Sequence, residues 1–524
     1  MYVAPNTTIR LIKDCPLDNG YEHTLFFDKP SDQQYYFNTY LSGITFTQQS
    51  YQRVNKGKLR VAQNAESLYA VNYLSFQNAA FGTRWFYAFV TQIDYINNGV
   101  SEITYEIDIL QTWHFDYKMI PVYVEREHST IDTVGYNLVP ESVELGDYIA
   151  DNDVTDTGHL TNFHIVVAAP FDSQYQPTAG AMYSDIFSGL TFTAFPNTAA
   201  GAASAVGFIT GAGAQADKIV SVFLMPSDFV TTAGDPVESY TISKTKKVTG
   251  AIDGYTPKNN KLYTYPYNFL YVTNLQGTAA PFPYEYFSGT ACEFRLFGDM
   301  SPNPSVIMYP LNYKGVGGNL DEKMTISGYP QLPYNIDAYK AWLAQNASSL
   351  QVSALSSAYS LAQAAANPAG GAVQAVSTMF NVAHTLAERY SRSLSPLQSR
   401  GGSGSITNCA AQIQDFYFMH KHIRREFAEI IDNYFSVYGY ATHKVKKPNR
   451  VGRHKWNYVK TIGCKVEAGY PEDVTAPTGT PVVGLPADDA RRIEEIYNHG
   501  ITFWHSPVFF GNYGDFTNTI EGGE

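Results

Sequence analysis

Most of this chain is cut into short runs of aromatic and β-branched residues, each closed by Asn, Asp, Gly or Pro. A pattern of that kind leaves few folds open besides sheets. In the first 125 residues the runs read TIRLIK, HTLFFD, SLYAVNYLSF, RWFYAFVTQIDYI and SEITYEIDILQTW. Asn97, Asn98 and Gly99 separate the last two and have the chemistry of a tight hairpin turn. Beyond them Ile103, Tyr105, Ile107 and Ile109 alternate with Thr104, Glu106, Asp108 and Leu110, the twofold period of a half-buried strand. HIVVAAP, KIVSVFLMP, NFLYVTNLQ, CEFRLFGDM and SVIMYPLNY carry the style to about residue 335. TAAGAASAVGFITGAGAQA interrupts them. It holds neither GxxxxGKS/T nor a strand–GxGxxG–helix unit, so it reads as a loop or short helix and not as a phosphate cradle.

Near Asn335 the character changes. From Ala341 to Ala387 there is no Lys, Arg, Asp or Glu. Helical spacing predicts two helices, about 347–367 and 372–390, broken apart at Pro368, Gly370 and Gly371. Leu350, Ala354, Leu355, Ala358, Leu361 and Ala365 share one face of the first, opposite Ser353, Ser356, Ser357, Ser360, Gln363 and Asn367. Val373, Val376, Phe380, Ala383 and Ala387 do so in the second, opposite Gln374, Ser377, Thr378, Asn381, Thr385 and Glu388. The result is an uncharged amphipathic hairpin. A loop, RGGSGS, follows with Gly401 and Gly402. An amphipathic helix is then expected through Phe416, Met419, Ile423, Phe427, Ile430, Ile431 and Tyr434. From Gly439 the β pattern returns. These shifts divide the chain into 1–125 and 126–335, both β-rich, an insertion at 336–410, and 411–524, a helix followed by β structure. The expected class is mainly β with α insertions.

The chemistry-bearing residues are sparse. Charged residues make up only 16% of the chain while Tyr and Phe number 40 and 31, as suits a subunit with much paired surface. The net charge of −12 argues against tight DNA binding, whose affinity comes from neutralising phosphates. It is compatible with a wall past which DNA slides. Cys15, Cys292, Cys409 and Cys464 show no spacing for a disulfide framework or zinc site. The N-terminus has no signal-peptide pattern, and no run of 18 strongly apolar residues occurs. HExxH, GxSxG and CxxC are absent. Glu125, Arg126, Glu127 and His128 form a charged cluster that could do acid–base work but reads better as a salt-bridged strand end. His114 and Asp116 would share a strand face and be exposed or satisfied locally, and His499 with His505 could hold a metal but read better as two satisfied histidines. Cys409 has no supporting nucleophile motif. No metal, cofactor or catalytic residue is expected. Lys444, Lys446, Lys447, Arg450, Arg453, Lys455 and Lys460 form one basic run, interleaved with Trp456 and Tyr458 as in single-strand binders. A solvated hairpin face or a subunit contact is the plainer reading.

Five blocks stand in a distinctive order: RWFYAFVTQIDYINNGVSEITYEIDILQTW at 84–113, VEREHS at 124–129, DFYFMHKHIRREFAEIIDNYFSVYGYATHKVKKPN at 415–449, HKWNYVKTIG at 454–463 and IEEIYNHGITFWH at 493–505. Together they resemble the tail-knob, or distal tail tube, proteins of small short-tailed phages of the Picovirinae type. That resemblance implies a non-enzymatic virion protein at the tail tip, assembled in the host cytoplasm. Its β-barrel-like tail-tube domains would form the wall of a hexameric ring through which viral DNA leaves. It also implies an apolar insertion that plugs the lumen and later meets the host membrane, a role that falls on the hairpin of 336–410. A helix of about 20 residues is roughly 30 Å long, near the thickness of a bilayer core. Pro368, Gly370, Gly371, Gly401 and Gly402 would be its hinges. Lys444, Lys446, Lys447, Arg450, Arg453 and Lys455 would make a subunit or passing DNA contact. Partners would be further copies of the chain, upper tail or collar proteins, appendages and a distal wall-degrading enzyme. The rival readings are a tail-tip enzyme acting on cell walls through Glu125 and Glu127, and a receptor-binding adhesin.

Overall fold

The alternating runs become antiparallel strands, and the turn residues between them set the register. In the computed structural model, residues 6–49, 57–79, 82–169, 179–183, 186–211, 219–230, 239–299, 304–314, 323–331, 414–468, 484–514, 516 and 518 are described. The chain divides into two units, each gathered from separated stretches. One comprises 1–146, 254–262 and 425–524, the other 147–253 and 263–424. The insertion at 336–410, with its expected helices and hinges, and Cys409 lie outside the described residues.

The first unit contains a six-stranded antiparallel sheet in the order Gly43–Gln49, Thr7–Lys13, Val71–Gln77, Trp85–Asn97, Val100–Ile107, Lys58–Val61. Its hairpin closes where expected: Asn97 pairs with Val100, and the Asn97 Oδ1 accepts the Gly99 N–H at 2.9 Å. Alternation buries both faces of the central strands. Leu74 and Phe76 pack with Ile9, Leu11 and Ile103, while Tyr73 joins Phe37, Tyr87 and Phe89. The alternation read through residue 110 stops earlier. The strand ends at Ile107, and Asp108 caps a short helix, Ile109–Thr112. Its carboxylate accepts the Gln111 N–H at 3.0 Å and the Tyr73 hydroxyl at 2.9 Å. Asp108 and Leu110 are therefore buried, because a side-chain cap ended the strand period.

The same unit holds a five-stranded sheet, ordered His23–Leu25, Ile501–Trp504, Trp456–Ile462, Val122–Glu127, Tyr440–Lys446. Two strands come from the first 127 residues and three from beyond 439. Helix Ala487–His499 ends at Gly500, whose φ of +98° favours glycine. Trp113, Trp456, Tyr497 and Trp504 sit in the core between these elements.

One expected helix is partly a strand. Tyr417–Ile423 is extended and pairs with Asn268–Thr273, and the helix spans only Arg425–Tyr438. Its buried face is Ala428, Ile431, Asp432, Phe435 and Ser436, whereas Ile430 is 67% exposed. The apolar spacing from Phe416 to Tyr434 ran across a strand–helix junction, and sheet pairing overrode it.

The second unit contains three antiparallel four-stranded sheets: Tyr148–Ala150, Tyr417–Ile423, Asn268–Thr273, Ala279–Phe282; Ala179–Tyr183, Ile186–Pro196, Phe163–Ala169, Ser221–Pro226; and Ser239–Thr245, Ala291–Asp299, Ser305–Pro310, Met324–Ile326. They share one core that includes Val166, Phe223, Leu270, Phe294 and Val306. The Gly/Ala stretch forms helix Ala199–Gly211. Gly201 is required there, since a Cβ would lie 1.9 Å from the Pro196 carbonyl oxygen. The protein is mainly β with α insertions.

Candidate functional site

Strand Val122–Glu127 carries the acidic and basic cluster read from the sequence, and its two neighbours bring the basic run to it. Glu125 pairs with Lys460 at 3.0 Å. Glu127, nearly enclosed, pairs with Lys446 and accepts the Asn449 N–H at 2.8 Å. Arg126 donates to the Gly439 carbonyl at 2.6 Å, pairs with Glu141, and lies 4.5 Å from the centre of the Tyr434 ring. The Glu141 side chain is wholly buried. It also accepts from Lys261 at 2.5 Å and from the Ala441 N–H at 2.8 Å. Charge-assisted contacts of this kind hold strands in register.

His128 completes the network. Its Nδ1 accepts the Tyr458 N–H at 2.7 Å. That leaves Nε2 as the donor to the Ser436 carbonyl, 3.1 Å away. Burial first, and then the nearby Arg453, push its pKa down to about 3. The ring is neutral and both nitrogens are engaged, so it has no free lone pair for a substrate proton. Glu125 faces the Lys460 ammonium, and Glu127 faces the Lys446 ammonium and the Asn449 amide. The cluster is a structural network and not an acid–base pair.

The basic run does not form one solvated stripe. Lys446 and Lys460 are held by glutamates. The Arg450 guanidinium lies between the rings of Phe26 and Tyr117, at 5.5 and 5.6 Å. Lys455 is buried, 5.6 Å from the Phe509 ring. Arg453 Nη1 donates to the Asn518 carbonyl at 3.2 Å. Lys444 and Lys447 are exposed. Trp456 is fully buried against Trp504, with ring centroids 5.0 Å apart, so it presents no face to a base.

The remaining candidates have structural partners. His114 contacts the Phe27 carbonyl at 2.9 Å, and Asp116 takes both arms of Arg84 at 2.5 and 2.7 Å. These partners are distant in sequence, not local. His499 contacts the Glu495 carbonyl and His505 the Asn457 side chain, each at 2.8 Å. Among the described residues there is no group of three metal-ligating side chains, and no helix is long and apolar enough to cross a membrane. Cys15, Cys292 and Cys464 are buried free thiols.

Two features escaped sequence reasoning. Asp432 is fully buried and accepts from the Tyr255 hydroxyl, the Lys258 and Asn259 N–H groups and the Asn259 amide, at 2.7 to 3.1 Å. It fastens 254–262 to helix Arg425–Tyr438. An aspartate beside Ile431 on an apolar face was the available signal. The second is a trio of exposed apolar residues, Tyr123, Val445 and Ile462, in register on three adjacent strands. Tyr440–Lys446 is the edge of that sheet.

Comparison with known proteins agrees with this architecture. The family model described as Bacillus phage phi29 tail knob protein gp9, C-terminal domain, matches residues 236–515. Another, described as the caudoviral major tail protein N-terminus, matches 5–118, which contains the six-stranded sheet. The tail knob protein gp9 of Bacillus phage PZA is 24% identical over 97% of this chain and 98% of its own length. That of Bacillus phage phi29 is 23% identical over the same shares. The structure of the bacteriophage C1 tail knob protein, gp12, superposes with a TM-score of 0.59 at 15% identity, covering 98% of this chain and all of the other. That likeness extends the shared fold over nearly the whole length. With more than half of its residues inside the first of these family matches, the chain belongs to the phage tail knob proteins, structural components of the virion tail.

Proposed function

We propose that this tail knob protein forms a hexameric ring in the distal tail tube and that the viral genome leaves through the bore. The supporting observation is the pairing of two family matches on one chain: a major-tail-protein N-terminus over the six-stranded sheet, and a tail knob domain over most of the rest. The ring wall is built from the β units. The exposed trio Tyr123, Val445 and Ile462, with Lys444 and Lys447 nearby in the chain, offers a contact to a neighbouring subunit. The net charge of −12 keeps DNA from adhering as it slides. No covalent chemistry is asked of the chain. Assembly takes place in the host cytoplasm, beside collar proteins, appendages and a distal wall-degrading enzyme.

The segment 336–410 plugs the lumen and on release enters the host membrane, with Leu350, Leu355, Leu361, Val373, Val376 and Phe380 toward lipid. Its small residues allow close helix packing. Negative-stain images of the purified chain should show rings or short tubes; monomers alone at high concentration would refute the ring. Purified protein should release dye from liposomes, and deletion of residues 345–390 should abolish release while rings persist. Undiminished leakage from the deletion variant would remove the membrane role and leave the tube.

A further inference from the structure

A cavity of about 200 Å³ in the first unit is lined by His128, Lys258, Asn259, Ser436, Arg453, Phe516 and Asn518. Two of these are cations and none is a carboxylate. A guanidinium has five N–H donors in a planar fork. Arg453 uses Nη1 on the Asn518 carbonyl, while Nε and Nη2 are buried and have no acceptor among the described residues. Those two nitrogens form the side-on edge that matches two oxygens of a carboxylate or phosphate. Burying such donors without an acceptor is costly.

The neighbouring acids do not meet that need. Asp132 takes the Tyr440 hydroxyl and the Asn260 N–H, and Asp432 takes the four donors described above. The second cation, Lys258, sits 4.5 Å from the centre of the Phe516 ring and 3.4 Å from the Asn433 side-chain oxygen. Asn259 is spent on Asp432 and Ser436, and Asn518 on the backbone of Lys455 and Trp456. Neutral His128 adds no charge of its own.

We infer that this cavity binds a small tetrahedral oxyanion of the phosphate class, held side-on by Arg453 and from a second direction by Lys258. The site joins four separated parts of the chain, at His128, at Lys258 and Asn259, at Ser436 and Arg453, and at Phe516 and Asn518, so the anion acts as a staple on the first unit. Nothing in this assignment depends on the ring or the membrane role.

The test is a titration of the full chain with inorganic phosphate at constant ionic strength, with chloride as the reference. Calorimetry should show one saturable site per chain, and the unfolding temperature should keep rising with the logarithm of phosphate concentration above the Kd, as linkage requires. Arg453→Gln should weaken binding by about tenfold or more, and Lys258→Met by a smaller factor. Among the described residues the Lys258 side chain donates to no carboxylate, so that variant keeps the hydrogen-bond network around Asp432 and should fold. Arg453→Lys, which keeps the charge but loses the fork, should bind more weakly than the native chain. No saturable effect of phosphate beyond that of chloride, or native affinity in both Arg453→Gln and Lys258→Met, would overturn the assignment. Displacement of phosphate by a short single-stranded oligonucleotide at equal phosphate concentration would do the same, since a recessed cavity admits the free ion and not a chain.

Discussion

Acidification should unfold the first unit well before ordinary carboxylate titration would. Three of its histidines are held neutral, His114 and His128 buried and His505 half-buried. Burial, more than any neighbour, holds His114 and His505 down to about 4 and His128 to about 3, against an ordinary 6.5. A depressed histidine favours the fold above pH 6.5, and its contribution is lost as pH falls through the folded value. Asp108 works in the opposite sense. Burial raises its carboxyl to about 7 from 3.8, so the fold binds its proton first and gains stability as pH drops. Between pH 6.5 and 4 the unfolded chain therefore takes up about three protons that the fold refuses, while the fold takes up about one at Asp108 that the unfolded chain refuses, and burial raises the Asp132 carboxyl in the same sense. A net of at most about two protons gives a slope of at most roughly 3 kcal/mol per pH unit. Two pH units then remove on the order of 5 kcal/mol, comparable with the whole stability of a typical domain. Urea unfolding followed by tryptophan fluorescence at pH ~7, ~6 and ~5 measures this, because Trp85, Trp113, Trp456 and Trp504 all belong to this unit. Replacing His128 with Gln removes one titrating proton. The variant should be less stable at neutral pH, because the Ser436 and Tyr458 contacts are disturbed, yet its slope should be shallower by about 1.4 kcal/mol per unit. A midpoint independent of pH over this range, or an unchanged slope in the variant, refutes the reasoning.

The network beside it makes further claims. Glu141→Gln leaves Arg126 and Lys261 facing each other without a carboxylate, and should cost about 3–5 kcal/mol in urea unfolding. Gly439→Ala should destabilise by at least ~2 kcal/mol, because φ is +66° and the new Cβ would lie 2.2 Å from the Glu127 carbonyl oxygen; a neutral result would show that the backbone shifts freely there. A double change, Val445→Asp with Ile462→Asp, should disperse rings in negative stain while shifting the unfolding temperature little, since both side chains are already solvated in the single chain. Intact rings would move the subunit contact elsewhere.

Local chemistry was legible and distant pairing was not. The Asn97–Gly99 turn depends on residues within reach of one another, and the sequence states them directly. The same holds for the strand period from Val100 to Ile107. The helix expected from Phe416 failed because periodicity cannot say whether a spacing of three and four is used by a helix or crosses a junction; pairing with Asn268–Thr273, about 150 residues earlier in the chain, decided it. The charged residues depended still more on remote partners. Lys446 meets a glutamate 319 residues away, and Lys460 one 335 residues away. Read in one dimension, Lys444 to Lys460 is a positive patch with aromatics between, the pattern of a nucleic-acid groove. In the fold most of its charge is spent inside the molecule, and its tryptophan is core. A basic run is evidence of a surface only once the acids that could neutralise it have been placed, and in a sheet assembled from both ends of a chain, sequence proximity does not place them. The same argument gives Arg453 its interest: among the arginines of that run, it is the one whose side-on edge the fold leaves buried and unanswered.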